Sequence, residues 1–173
     1  MATNDKTELT KKTIQDGIIL GLVGYSSVAL LYAITDFLAA RGFLFTVNLL
    51  GMVVFRGLRD PAVLSLPAMQ LDMTAIYLFS GLHLILSLLI GFIVSILVKM
   101  SETNPGRARL ILTVLVSGFF VTILGVGILT EGIRQLLPWW SIVVANSLAV
   151  IVASIYLTKK HPGIWDRLGP FAG

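Results

Sequence analysis

An all-α membrane bundle of four crossing helices, with one short apolar helix that does not cross, is the fold this sequence predicts. Three observations carry that expectation. The chain is 56% hydrophobic and only 13% charged, about half the charge of a soluble domain. Four apolar runs reach the roughly 20 residues that a helix needs to cross hydrocarbon. A fifth run, Phe43 to Phe55, lies between Arg41 and Arg56 and would extend only about 20 Å as a helix.

The elements follow in order. Residues 1–16, MATNDKTELTKKTIQD, are polar and of mixed charge, so they read as a cytoplasmic tail forming a short frayed helix. The first span is 17–40. It is too long for the apolar part of a signal peptide and reads as a retained anchor. Residues 43–73 form an outer cap. Within it Thr46 can cap a helix, Val47 to Phe55 continue it and Gly57 end it. That helix lies with its apolar face in the interface, or dips in and returns. Asp60-Pro61 and Pro67 then make an irregular stretch. The second span is 74–98, and Asn104-Pro105-Gly106 turns into the third, 110–130. Leu137-Pro138 opens the fourth, 139–158, with Trp139 and Trp140 at interface depth. Residues 159–173 read as a cytoplasmic interfacial tail, anchored by Lys159, Lys160, Ile164, Trp165 and Leu168. A docking site for a cytoplasmic partner is the alternative for that tail.

Charge tests the non-crossing segment independently of length. If it does not cross, Lys6, Lys11, Lys12, Lys99, Arg107, Arg109, Lys159, Lys160 and Arg167 share one side, nine in all. Arg41, Arg56, Arg59 and Arg134 make four on the other. If it crosses, the sides hold six and seven and the bias vanishes. The cationic side faces the cytoplasm, so both termini are expected there.

Helices in lipid gain little from hydrophobic burial against each other, and close approach of small residues decides their packing. Gly17 and Gly21 in the first span, Ser87, Gly91 and Ser95 in the second, and Gly118 and Thr122 in the third are spaced for this. The fourth has Ser141, Ala145, Ala149 and Ala153, a run of four at spacing four. These stripes predict a bundle packing with itself or with other membrane subunits.

Polar groups at membrane depth are the candidates for function. Asp36 ends the first span, His83 lies about 13 Å into the second, Glu131 closes the third, and Asn146 lies about two turns into the fourth. Asn48 belongs to the non-crossing segment. All five fall in the outer half, under Arg41, Arg56 and Arg59, while the inner half is mostly aliphatic. One reading is an outer pocket for a small polar ligand, a quinone head group or a proton. The other is structural: Asp36 pairs with an Arg, and His83 and Asn146 hydrogen-bond neighbouring helices. His83 sits deepest and its residue type titrates near neutral pH. A bis-His haem within the chain is not expected, because His161 lies beyond the fourth span in the other leaflet. Haem through another axial ligand, or a quinone, stays open. No metal site is expected, since His83 and Asp36 leave it two ligands short. There is no Cys and no serine nucleophile elbow. The scattered basic residues carry no nucleic-acid signal.

The string Asp36-Phe37-Leu38-Ala39-Ala40-Arg41, followed by Phe45-Thr46 and Leu50-Gly51, resembles small four-helix bacterial integral membrane proteins of uncharacterised function. In those an aspartate ends the first helix, and a basic residue and a Phe-Thr step lead into a short apolar helix. Many have Pro after the Thr, where this chain has Val47. The likeness covers residues 24–58, with a weaker echo in Leu137-Pro138-Trp139-Trp140 and Lys160-His161-Pro162. It implies the outer cap and a bacterial inner membrane, and carries no activity. The functional expectation is a non-enzymatic membrane subunit, with a binding or transport protein or a redox subunit as alternatives.

Overall fold

The computed structural model describes residues 2–65 and 69–164, with side chains from residue 10 onward except Pro105. Among the described residues every regular element is a helix: α1 (Ala2–Leu38), α2 (Phe45–Arg56), α3 (Pro61–Leu64), α4 (Met73–Thr103), α5 (Ala108–Leu129) and α6 (Trp139–Lys160). Single 3-10 turns, Pro105–Arg107 and Glu131–Ile133, follow α4 and α5. Pro67, Trp165, Arg167 and Leu168 lie outside the described residues.

Four stretches are long and apolar enough to cross a membrane: Thr10–Leu38, Met73–Thr103, Ala108–Leu129 and Trp139–Lys160. Their outward faces carry residues such as Leu30, Tyr77, Ile85, Val121 and Ile151, all more than half exposed. Such continuous apolar surface is the signature of helices solvated by lipid. The molecule is therefore a helical membrane protein that meets the bilayer through these faces.

Side-chain contacts give the helix directions. Thr13 meets Ser95, Gly21 meets Leu88 and Tyr25 meets His83, so α4 runs antiparallel to α1. Tyr32 meets Ser141 and Asp16 meets Tyr156, so α6 does too. Helix α5 touches α4 and α6. The four long helices alternate in direction and pack in the cyclic order α1, α4, α5, α6. The end that carries α2 and α3 is the cap end; the other, with the close of α6, is the terminal end.

Helix α2 stays at the cap end. Its first turn bonds Asp36 at the close of α1, and its last residue, Arg56, bonds Asp72 at the start of α4. Three local devices build this. The amides of Ala40 and Arg41 bond the carbonyls of Phe37 and Asp36, closing α1, with Ala40 at φ 55° where glycine is usual. Gly57, at φ 67°, ends α2. Gly51 lets α2 approach α4: a Cβ there would lie 2.7 Å from the carbonyl carbon of Ala75. The capping expectation is corrected. Leu44, not Thr46, precedes α2 and offers no cap; Thr46 lies inside the first turn and is itself bonded by Asp36.

The apolar face of α2 is turned toward protein rather than lipid. Phe45, Leu49, Leu50 and Val53 pack with Leu64, Met69, Ile133, Leu137 and Ile142. The turn after α5 supplies a surface that no reading of α2 alone could anticipate. A second apolar cluster, Leu20, Val98, Ala108, Ile111, Leu157 and Ile164, lies at the terminal end.

Between the clusters, backbone approach joins α1 to α4. A Cβ on Gly21 would fall 2.6 Å from Leu88 Cα and 2.9 Å from the Ser87 carbonyl oxygen. One on Gly91 would fall 2.8 Å from Gly21 Cα, and one on Gly17 would strike Phe92. Ser95 Oγ donates to the Thr13 carbonyl at 2.7 Å. On α6, Ser141 sits 3.3 Å from the Tyr32 hydroxyl, Ala145 is buried, and Ala149 and Ala153 are half-buried. Gly118 on α5 has nothing within 4 Å of a Cβ, and Thr122 bonds the Gly118 carbonyl.

Candidate functional site: a charged cluster at the terminal end

The helices overshoot the hydrocarbon. Helix α1 has 37 residues and α4 has 31, about 55 and 46 Å against a core of about 30 Å. The overshoot carries charged residues from three separate stretches of sequence into contact. Asp16 comes from α1, Glu102 from the last turn of α4, Tyr156 from α6 and His161 from just past its end.

The bonds form a chain. The Tyr156 hydroxyl donates to Asp16 Oδ1 at 2.6 Å. His161 Nε2 lies 3.3 Å from Asp16 Oδ2, and Nδ1 lies 2.7 Å from Glu102 Oε1. Lys99 Nζ donates to Glu102 Oε2 at 3.0 Å. Asp16 is only 4% exposed, so its charge has to be met by these partners. The imidazole ring joins the two carboxylates and thereby ties α1, α4 and the end of α6 together. Beside the cluster is a cavity of about 410 Å³. Asp16, Glu102 and His161 line it with Lys12, Lys99 and Lys160; Thr13 and Ser95 complete the wall.

No three His, Asp or Glu side chains converge as metal ligands among the described residues. The His161 ring faces one carboxylate with each nitrogen, on opposite edges, so the three groups do not point at a common centre. What the cluster can do chemically is hold charge at the rim of the membrane.

The candidates toward the cap end are dispersed. Asp36 is fully buried and accepts from Arg41 Nη2 (2.9 Å), the Thr46 amide (2.7 Å) and the Thr46 hydroxyl (2.9 Å). Arg41 also lies 4.5 Å from the centre of the Phe45 ring, while its buried Nε has no hydrogen-bond partner among the described residues. Asn48, also fully buried, clamps the chain ahead of α4: Nδ2 donates to the Gln70 carbonyl and Oδ1 accepts from the Asp72 amide, both at 2.9 Å. Asn146 Nδ2 donates to the Ile142 carbonyl of its own helix at 2.8 Å. Glu131 is exposed beside Arg134, 3.8 Å away. His83 is half-buried between Tyr25 and Phe79, with ring centres 5.1 and 6.3 Å away. Its nitrogens make no hydrogen bond among the described residues. His83 and His161 lie toward opposite ends of the bundle. Trp139 and Trp140 project outward, 63% and 59% exposed, and Lys159 and Lys160 are exposed at the terminal end.

Outside the spans, Arg56 Nε donates to Asp72 Oδ2 at 2.8 Å. This bond, with that of the Ala75 amide, holds the Asp72 carboxyl below its usual range and raises the Arg56 guanidinium. Asp72 is the cap of α4.

Sequence reasoning missed the terminal-end cluster because it assigned Asp16 to a tail, Glu102 to a loop and His161 to an anchor. A usable signal was present: the helix period continues through Asp16 and past Lys99 without a breaker until Asn104-Pro105. No protein-family model, curated relative or solved structure matches this chain.

Proposed function

We propose that this protein is a non-enzymatic subunit of a bacterial inner membrane, with both termini cytoplasmic, which packs against another membrane helix through α5. The single observation that carries this is the open face of α5. Gly118 and Gly125 lie two turns apart, exposed, with nothing within 4 Å of a Cβ on either. Leu110, Val114, Val121 and Ile128 continue the same face and are all exposed. Helix α5 gives only Ala108 and Ile111 to the buried interior. Lipid solvates such a face, but a missing Cβ at two positions two turns apart on one face lets a second backbone approach closely, which is how membrane helices associate.

The sidedness is supported by charge. Lys11, Lys12, Lys99, Arg107, Arg109, Lys159 and Lys160 lie at the terminal end, against Arg41, Arg56, Arg59 and Arg134 at the cap end. Seven against four favours a cytoplasmic terminal end.

A photo-crosslinking residue at Val121, expressed at native level, is expected to give a protein adduct of defined mass. The same residue at Tyr77, on the exposed face of α4, is expected to give none. Equal yields at both positions, or none at either, would discard the subunit reading.

A second reading rests on His83, an imidazole at membrane depth without a hydrogen bond among the described residues, where an unpaired polar group is costly. Binding or transport of a small ligand, or a quinone against Tyr25 and Phe79, would satisfy it. Extraction of the purified protein for quinone, and an absorption spectrum for haem, decide between these; a clean result in both, with His83→Ala changing no ligand retention, discards them.

A further inference from the structure

The terminal-end cluster asks more of its imidazole than a neutral ring can supply. His161 Nδ1 lies 2.7 Å from Glu102 Oε1 on α4, and Nε2 lies 3.3 Å from Asp16 Oδ2 on α1. A neutral imidazole has one N–H and one lone pair, and an ionised carboxylate only accepts. Between two ionised carboxylates a neutral ring would set its lone pair against one of them. Both contacts are favourable only when the cluster holds one more proton, on the ring or on a carboxyl group. In water a carboxyl group releases its proton at about pH 4 and an imidazolium at about pH 6.5. Donors already hold both carboxylates, the Tyr156 hydroxyl on Asp16 and Lys99 Nζ on Glu102. The extra proton therefore belongs to the ring.

Among the described residues, α1 presents Lys12 and Asp16 to the ring's surroundings, α4 presents Lys99 and Glu102, and α6 presents Tyr156 and Lys160. The carboxylates favour charge on the ring and the lysines oppose it. The ring also stands where the chain leaves α6. The Ile164 amide bonds the His161 carbonyl at 3.1 Å, and Ile164, 2% exposed, packs with Leu20, Val98 and Leu157. We propose that His161 is a proton-operated latch. As imidazolium it clasps α1 and α4 to the end of α6. Loss of one proton to water leaves a single N–H, which stays with Glu102 at the shorter contact, and the bare Nε2 then repels Asp16. His161 parts from α1, and the turn that carries Ile164 loosens. The folded latch holds the proton, so its stabilisation is present at lower pH and is lost as pH rises. The latch involves neither the α5 face nor His83, so it stands or falls apart from the function proposed above.

The test uses the full chain in detergent with isotope-labelled histidine, read by nitrogen NMR and by melting temperature between about pH 5 and pH 8, where histidines change charge. The chain has two histidines, and His161→Gln assigns their signals. At the acid end both nitrogens of His161 are expected to carry hydrogen. As pH rises one should lose it, and the melting temperature should fall by about 3 °C through the same pH. Asp16→Asn is expected to move that titration about one pH unit lower and to flatten the fall in melting temperature. Should that variant fail to fold, Glu102→Gln is read in the same way. The control, Glu131→Gln, removes an exposed carboxylate at the cap end and should leave both curves in place. A ring that keeps one charge state across that range, a titration without a change in melting temperature, or an equal shift in variant and control would each overturn the proposal.

Discussion

Asp36 shows how one buried charge can organise a cap. Its carboxylate meets Arg41, five residues on, and the first turn of α2, ten residues on. Unpaired amides at a helix start favour a negative charge there. Asp36→Asn keeps the shape but leaves Arg41 without its counter-charge, and about 3 kcal/mol of stability is expected to be lost, measurable as unfolding in a graded detergent series. Its pairing with an arginine was legible from sequence spacing; its capping of α2 was not, because the two meet only across the turn at Ala40–Gly42. Asp72 makes a pH-dependent contribution. Its folded carboxyl lies below its ordinary 3.8, so the unfolded chain binds the proton first. The stabilisation is present above that value and is lost as pH falls through the lower, folded one. Arg56→Gln is expected to flatten the decline in melting temperature below about pH 4.

At the scale of elements, backbone contact between α1 and α4 dominates. Gly21 and Gly91 leave no room for a Cβ between them, and dispersion across so close an approach substitutes for the hydrophobic drive that lipid removes. Gly91→Leu is expected to separate α1 from α4, costing about 2–3 kcal/mol, whereas Gly81→Leu, into open space on the same helix, leaves the fold intact. Proteolysis of the two variants in membranes separates these outcomes. Residue spacing alone marked both stripes as small. It could not say that those of α1 and α4 meet each other while Gly118 on α5 meets nothing, because that depends on which helices become neighbours.

For the whole molecule, the alternation of helix directions is the governing fact. Short connections make neighbours antiparallel, and α2 preserves the alternation because it returns the chain to the end it left. Reporters fused after Gly42 and after Gly57 are expected in one compartment, opposite to a reporter at the C-terminus. A split between the first two would place α2 across the bilayer. The same alternation explains why ionisable groups gather at both rims: His161 reaches Asp16 from 145 residues away only because α6 returns antiparallel to α1.

By itself the sequence determined the number of long apolar helices, the short one between the first two and the concentration of positive charge at one end. Those depend on hydrophobic length and charge, which are summed along the chain. Only the tertiary structure decided that α2 faces protein, that Asp36 and Asn48 are committed to joining elements, and that Asp16, Glu102, Tyr156 and His161 form one cluster. Each of these needs partners distant in sequence, and a buried charge reveals its role only when the groups that offset its desolvation have been brought beside it.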